Sequence, residues 1–100
     1  MIYKDIVKNT TSLIGNYPNP FNPETIIKFS LDKESQIKID VYSIRWQKVK
    51  NLIDDYIISG EYLVIWNGTD DNRLSVSSGV YFYRMMTDDF IETKRMLLLK

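Results

Sequence analysis

The 100-residue chain contains no cysteine, no histidine and no alanine. Without cysteine it has no disulfide, thiolate nucleophile or zinc–thiolate site, and without histidine the common catalytic triads are excluded. A carboxylate pair could still act in glycoside hydrolysis, but it needs a deep cleft, which a small domain rarely has. We therefore predict that the domain is not an enzyme and uses no metal or other cofactor.

Charge of one sign is also lacking, because 13 basic side chains balance 13 acidic ones. A domain-wide field that would gather nucleic acid or an anionic membrane is not expected. No apolar run is long enough to span a bilayer, and residues 1–15 lack the continuous apolar region of a secretory signal. We expect any export signal to lie upstream or to be the domain itself. The length is typical of one domain.

What the chain does contain favours β-structure. Alanine, the strongest helix former, is absent, while Ile, Val, Tyr and Phe are abundant. Residues 25–31 and 36–42 alternate apolar and polar side chains, with a polar turn at 32–35. The pattern predicts an antiparallel pair of strands with one face towards the core. The inward residues are Ile27, Phe29, Leu31, Ile37, Ile39 and Val41. The outward residues are Lys28, Ser30, Lys38 and Asp40.

The rest of the chain continues this pattern. Val49 and Leu52 predict a third strand, although the spacing within 49–58 also suits one helical turn. Residues 61–66 are apolar on both faces, which indicates a central strand or one that carries a large aromatic at a sheet corner. A polar loop at 67–73 follows, and residues 80–87 and 90–99 predict a closing hairpin. About seven short strands favour an immunoglobulin-like antiparallel β-sandwich.

The start of the chain is different in character. Residues 1–15 are predicted to be a linker or an added edge strand using Ile2, Ile6 and Val7. The segment NYPNPFNP at 16–23 holds all three prolines, which disfavour helix, so it predicts a rigid lead-in to the first core strand.

Several motifs occur in a characteristic order: NYPNPFNPETIIKF at 16–29, VY at 41–42 followed by Val49, Gly60 before a strand ending in WNG at 66–68, SGVYFYRM at 78–85 and TKRMLLLK at 93–100. In this order they resemble the type A C-terminal sorting domain of proteins exported by the bacterial type IX secretion system. They are also similar to the immunoglobulin-like domain of the flagellar hook-capping protein.

The resemblance implies that residues 16–100 direct an attached N-terminal passenger across the outer membrane and are recognised by secretion machinery proteins. The passenger would pass through the periplasm and be secreted or held at the cell surface, by lipopolysaccharide in some relatives. A small-molecule substrate is not implied. The alternative from another class is a non-catalytic structural or assembly module, as in a hook cap or an extracellular stalk.

Two positions depart from the family pattern. Trp46 and Arg73 stand where the family has turn glycines, which supply a positive φ without a Cβ penalty. We expect either local strain or a remodelled turn at Trp46. In the second turn, Asn72 is expected to take over the left-handed conformation.

Two sets of residues are candidates for recognition. The first is the exposed proline-rich segment Asn19, Pro20, Phe21, Asn22 and Pro23, because such segments are preorganised for docking. Its structural alternative is a folded lead-in with Tyr17 and Phe21 packed into the sandwich. The second set consists of basic residues in or near the closing hairpin: Arg84, Lys94, Arg95 and Lys100. The structural alternative is that these residues only form a solvated strand face.

Two further patterns are interpreted structurally. Asp70, Asp71 and Asn72 could coordinate calcium, but the EF-hand spacing is missing and a solvated turn is favoured. The aromatic residues that could form a carbohydrate-binding platform are Tyr62, Trp66, Tyr81, Phe82 and Tyr83. We expect instead that alternate members fill the core and that Tyr81 forms a tyrosine corner.

Overall fold

The computed structural model describes residues 10–100, and in this part of the chain it contains seven strands and no helix. In chain order they are β1 (Ser12–Tyr17), β2 (Thr25–Leu31), β3 (Ser35–Tyr42), β4 (Lys48–Ile57), β5 (Gly60–Trp66), β6 (Gly79–Met86) and β7 (Ile91–Leu98). The prediction of an immunoglobulin-like sandwich is confirmed. The expected edge-strand contacts of Ile2, Ile6 and Val7 lie outside the described residues.

The strands form two antiparallel sheets that pack face to face. One sheet has the order β1-β2-β5 and the other the order β4-β3-β6-β7. Both contribute alternate side chains to one core, as period-two patterning requires. Its fully buried members include those predicted from β2 and β3: Leu13, Ile27, Phe29, Leu31, Ile37, Ile39, Val41, Trp66, Tyr83, Met85, Met96 and Leu98.

The predicted pairing of the first two core strands is wrong. β2 pairs with β1 and β5, whereas β3 pairs with β4 and β6. The turn at 32–35 therefore carries the chain from one sheet to the other instead of closing a hairpin. Strands that face each other across a core show the same apolar alternation as strands that pair, so periodicity alone cannot distinguish them.

Two residues expected to face solvent are buried. Ser30 is 6% exposed because β1 covers it, and its hydroxyl donates to the Thr10 carbonyl. Asp40 is 3% exposed, accepts a 2.8 Å hydrogen bond from the Asn51 amide and lies 3.8 Å from the Lys48 ammonium. Each polar group stays buried because a hydrogen-bond partner satisfies it, Thr10 before β1 for Ser30 and Asn51 on β4 for Asp40.

The middle of the chain gives one confirmation and one correction. Val49 and Leu52 lie in a strand, β4, and not in a helical turn. β5 is an edge strand of the three-stranded sheet and not a central one, although its Trp66 is fully buried at the strand end, as the aromatic alternative proposed. Leu63 and Ile65 on the outer face of β5 are 61% and 55% exposed.

The closing hairpin is confirmed. β6 and β7 pair over their whole length, and the Thr87 N–H donates to the Phe90 carbonyl at 2.8 Å across the turn. The Tyr81 hydroxyl donates to the Ser77 carbonyl at 2.7 Å, the backward bond of a tyrosine corner.

The two atypical turns keep the backbone that glycine would favour. Trp46 has φ 61° and Arg73 has φ 66°. The expectation that Asn72 takes over is wrong: Asn72 donates its N–H to the Asp70 carboxylate at 2.8 Å, and the left-handed residue is the next one. Residues 10–100 contain no helix of the length and hydropathy that a membrane span needs.

Candidate recognition site

The proline-rich segment docks on the last strand. The Phe21 N–H donates to the Leu97 carbonyl at 3.0 Å, and the Leu99 N–H donates to the Phe21 carbonyl at 2.9 Å, which forms a parallel bridge beside Leu98. The Asn19 side-chain oxygen accepts a 3.0 Å bond from the Leu97 N–H. The fold thus brings together the proline-rich segment and the last strand, which the sequence analysis had proposed separately as candidates for recognition.

The side chains of this segment divide between core and surface. Phe21 is 2% exposed and its ring centre lies 5.6 Å from that of Trp66, so the packed interpretation is correct for Phe21. It is wrong for Tyr17, which is 80% exposed. The remaining members, Asn19, Pro20, Asn22 and Pro23, are exposed. One aromatic therefore anchors a segment whose polar and prolyl groups face solvent.

A partly buried chain of hydrogen bonds holds the base of this segment. The Thr25 hydroxyl, fully buried, donates to the Pro18 carbonyl at 2.8 Å and accepts from the Asn16 amide at 3.0 Å. The Tyr83 hydroxyl donates in turn to the Asn16 side-chain oxygen at 3.0 Å. Burial, with a smaller contribution from the Glu92 carboxylate, raises the pKa of Tyr83 to about 12. The phenol therefore remains a neutral donor at ordinary pH.

Sequence reasoning missed this chain of bonds. Asn16, Pro18 and Thr25 lie within the NYPNPFNPET run, but Tyr83 is 67 positions beyond Asn16. A weak signal existed, since a threonine at an inward position of a strand needs a hydrogen-bond partner.

A shallow hollow of about 290 Å³ lies where the segment meets β7. We call it the terminal hollow, and its lining residues are Asn19, Val80, Arg95, Met96 and Leu97. It combines an amide, a guanidinium and an apolar floor, so it can accept a carboxylate or a backbone carbonyl beside an apolar side chain.

The four basic candidates do not form one cluster. Arg95 pairs with Phe82 on the outer face of the four-stranded sheet, whereas Lys94 pairs with the core residue Tyr83 and points to the opposite face. There the Lys94 ammonium lies 3.5 Å from the Glu92 carboxylate. Lys100 is exposed, and its backbone N–H donates to the Ser78 hydroxyl at 2.9 Å.

Arg84 shares the outer face with Arg95 but is engaged by a neighbour. Its Nη2 donates to the Tyr42 hydroxyl at 2.6 Å, and its guanidinium carbon lies 4.7 Å from the Tyr42 ring centre. Its Nε is buried without a hydrogen-bond partner among the described residues. Of the four basic candidates, Arg95 alone lines the terminal hollow.

The aromatic series is mostly core, as the structural interpretation predicted. Trp66, Tyr81 and Tyr83 are buried. Phe82 faces outward, but its ring is covered by the Trp46 indole, with ring centres 4.4 Å apart and planes 12° from parallel. Trp46 is 52% exposed. The sequence analysis considered strain or a remodelled turn at this residue and did not predict its packing on Phe82.

The acidic loop is organised as a turn. The Asp70 carboxylate accepts the Asn72 and Leu74 N–H groups at 2.8 and 2.9 Å, and the Asp71 carboxylate accepts the Asn51 N–H at 3.1 Å. Between residues 10 and 100, no three potential metal-ligating side chains of the His, Cys, Asp and Glu types gather at one place.

Comparison with known proteins identifies the class of this domain. Residues 16–99 match the family model of the secretion system C-terminal sorting domain, so the chain belongs to this family. Its members are the C-terminal sorting signals of the type IX secretion system, which direct an attached passenger across the bacterial outer membrane. The domain is recognised by that machinery and is carried by a passenger protein, whose destination is the cell surface or the medium. No curated protein matches the chain.

Two solved structures have a similar fold. Dimeric latent PorU from Porphyromonas gingivalis aligns with a TM-score of 0.73 and 14% identity over 98% of this chain. PorZ, an essential surface component of the type IX secretion system of the same organism, aligns with a TM-score of 0.59 and 16% identity over 85% of this chain. The alignments cover 10% and 11% of those chains, so this chain spans about a tenth of their length.

Proposed function

We propose that the secretion machinery recognises this domain in its folded state and contacts it at the terminal hollow. The observation that carries the proposal is the docking of Phe21 between Leu97 and Leu99, which assembles the hollow from two distant parts of the chain. Arg95 and Asn19 then present charge and hydrogen-bonding capacity on a rigid sheet surface. A preorganised surface of this kind binds a partner with a small loss of side-chain freedom.

We also propose that the domain is non-catalytic and passes through the periplasm with its passenger. The absence of histidine and cysteine from the sequence supports the first point. The shallow surface at the terminal hollow supports it further, because catalytic groups generally lie in deep clefts. The second point is supported by the site of action of the signal, because a protein that is to cross the outer membrane first reaches it from the periplasm.

The neighbouring residues Lys94 and Arg95 provide a matched test. Arg95→Gln and Lys94→Gln each remove one positive charge, but on opposite faces of β7. Each variant would be fused behind a periplasm-targeted reporter in a host with the type IX machinery, and reporter in the medium, cell surface and periplasm would be quantified. We expect Arg95→Gln to retain reporter in the periplasm and Lys94→Gln to be exported like the parent.

Circular dichroism of the purified variants checks that both remain folded. Equal export of the two folded variants would exclude Arg95 from recognition. If the unaltered domain also left its reporter in the periplasm, the assembly-module interpretation would replace export for this chain.

A further inference from the structure

β5 has the composition of a central strand but lies at a sheet edge. Tyr62 and Val64 face the core side and are half-buried, while Leu63 and Ile65 face outward and are 61% and 55% exposed. Strands that are apolar on both faces normally have both faces covered by other parts of the protein. In the described part of the chain, β5 pairs only with β2, so one row of its backbone N–H and C=O groups has no strand partner.

The other three edge strands are protected in ways that β5 is not. β4 carries Asp55, which pairs with the core residue Ile37 and therefore points inward, and inward charges are a known obstacle to edge pairing. β7 carries Glu92, Lys94 and Arg95. β1 has only six residues, and it lies against β7 through the Leu13 N–H to Glu92 bond. β5 has one charge, Glu61, at its start.

A groove of about 410 Å³ runs beside β5, between the two sheets. Its floor is apolar, and none of its lining residues is basic: Phe29, Leu52, Ile53, Asp54, Asp55, Ile57, Tyr62, Leu63 and Val64. Of its two acidic residues, Asp55 pairs with the core residue Ile37 and points towards the groove. Asp54 pairs with Lys38 on the outer face, where its carboxylate accepts a 3.0 Å bond from the Gln36 amide. An extended chain that paired with the free edge of β5 would place every second side chain over this groove.

We propose that β5 receives an added strand from a partner protein, in which apolar residues alternate with lysine or arginine. Main-chain hydrogen bonds to the free edge supply affinity, as in other β-strand additions. The apolar side chains continue the outer stripe of Leu63 and Ile65. The aliphatic parts of the basic side chains pack on the apolar floor, and their charges lie close to Asp55.

A second copy of this chain fits the groove less well. The residues of β5 from 60 to 66 include no lysine or arginine, so β5–β5 pairing would bring no opposite charge to Asp55. Charge complementarity therefore favours a different, basic strand over self-association. The proposed contact is also separate from the terminal hollow, whose lining residues it does not share.

A synthetic peptide in which valine and lysine alternate is a suitable probe. It would be titrated into the ¹⁵N-labelled full chain, with amide shifts and hydrogen exchange measured by NMR. We expect shifts concentrated in β5 and at Asp55, together with slower exchange of the β5 amides that face the open edge. A peptide N-methylated at every residue keeps the side chains but has no backbone N–H donor on either edge, and it should not bind.

Charge dependence is tested with two exposed aspartates. Asp55→Lys should weaken binding of the peptide by at least about tenfold. Asp88→Lys makes the same change in the β6–β7 turn, outside the groove, and should leave binding unchanged. A valine–glutamate peptide should bind no better than the N-methylated one.

Three results would overturn the proposal. One is the absence of β5 shifts at saturating valine–lysine peptide. Another is equal binding of the N-methylated peptide, which would show that the contact involves side chains only. The third is concentration-dependent self-association through β5 in sedimentation experiments without peptide, which would make a second copy the occupant.

Discussion

The two lateral sides of the sandwich, where edge strands of opposite sheets meet, are closed to different degrees. On one side β1 lies against β7, Leu13 is 2% exposed, and the backbone of Phe21 is hydrogen-bonded to Leu97 and Leu99. On the other side β4 and β5 leave a groove whose lining includes the half-buried residues Leu52, Val64 and Tyr62. The closed side is built from the two ends of the described chain, and the open side from its middle.

This difference indicates where stability is concentrated. A side chain with no exposed surface loses both transfer energy and packing contacts when it is truncated, whereas a side chain beside a groove was already in partial contact with water. Substitutions of similar size should therefore be much more costly on the β1/β7 side than on the β4/β5 side.

The largest expected effect is that of Phe21→Ala on the closed side. The ring is buried against Trp66, so its removal should lower the free energy of unfolding by about 3–5 kcal/mol. Leu52→Ala is the control on the open side and should cost less than about 2 kcal/mol. Urea denaturation of both variants measures the difference. Equal losses would show that the two sides are equally important for stability.

A second, intermediate effect is an alkaline destabilisation that depends on Tyr83. Its folded-state pKa of about 12 lies above the usual 10, so between these values the unfolded state has released a proton that the native state retains. The native state then binds more protons, and stability present below pH 10 is lost as pH rises towards 12, by on the order of 2 kcal/mol.

Denaturation midpoints measured across this pH range, in the parent and in Tyr83→Phe, test the effect. The variant loses the bond to Asn16 at every pH but should show a flatter dependence above pH 10. If stability fell equally steeply with pH in the two proteins, the titration of Tyr83 would not be the cause of the alkaline destabilisation.

The smallest expected effects belong to turns that lie away from both sides. Arg73 is exposed with φ 66°, so Arg73→Gly should relieve strain and stabilise the domain by roughly 0.5–1 kcal/mol. Trp46→Gly relieves similar strain but removes the indole that stacks on Phe82, so its gain should be smaller or negative. Thermal denaturation of the two variants compares them, and a larger gain for Trp46→Gly would contradict the packing role of the indole.

The sequence predicted the strands and the core better than the pairing. Alternation identified the inward residues of β2 and β3 because burial and period-two geometry are directly linked. It did not reveal that these strands belong to different sheets or that β5 lies at an edge. Alternation reports which face is buried, whereas partner choice depends on contacts between distant segments.

The candidate site shows the same division. Lys94 and Arg95 are neighbours on a predicted strand, and the sequence alone could have placed them on opposite faces. The docking of Phe21 on β7 had no local signal, because it joins two segments that each read as complete motifs. The positive φ at Trp46 and Arg73 was foreseeable from the family pattern, but the stacking of Trp46 on Phe82 was not.

The bond between Asn19 and Leu97 joins residues that are 78 positions apart in the sequence. A surface assembled in this way has a property that a linear motif lacks, since neither half carries the information by itself. A chain synthesised only as far as β6, or one whose hairpin has not closed, does not present the terminal hollow at all. Recognition at this hollow would therefore select domains in which the closing hairpin has been synthesised and has folded, before the passenger is transported.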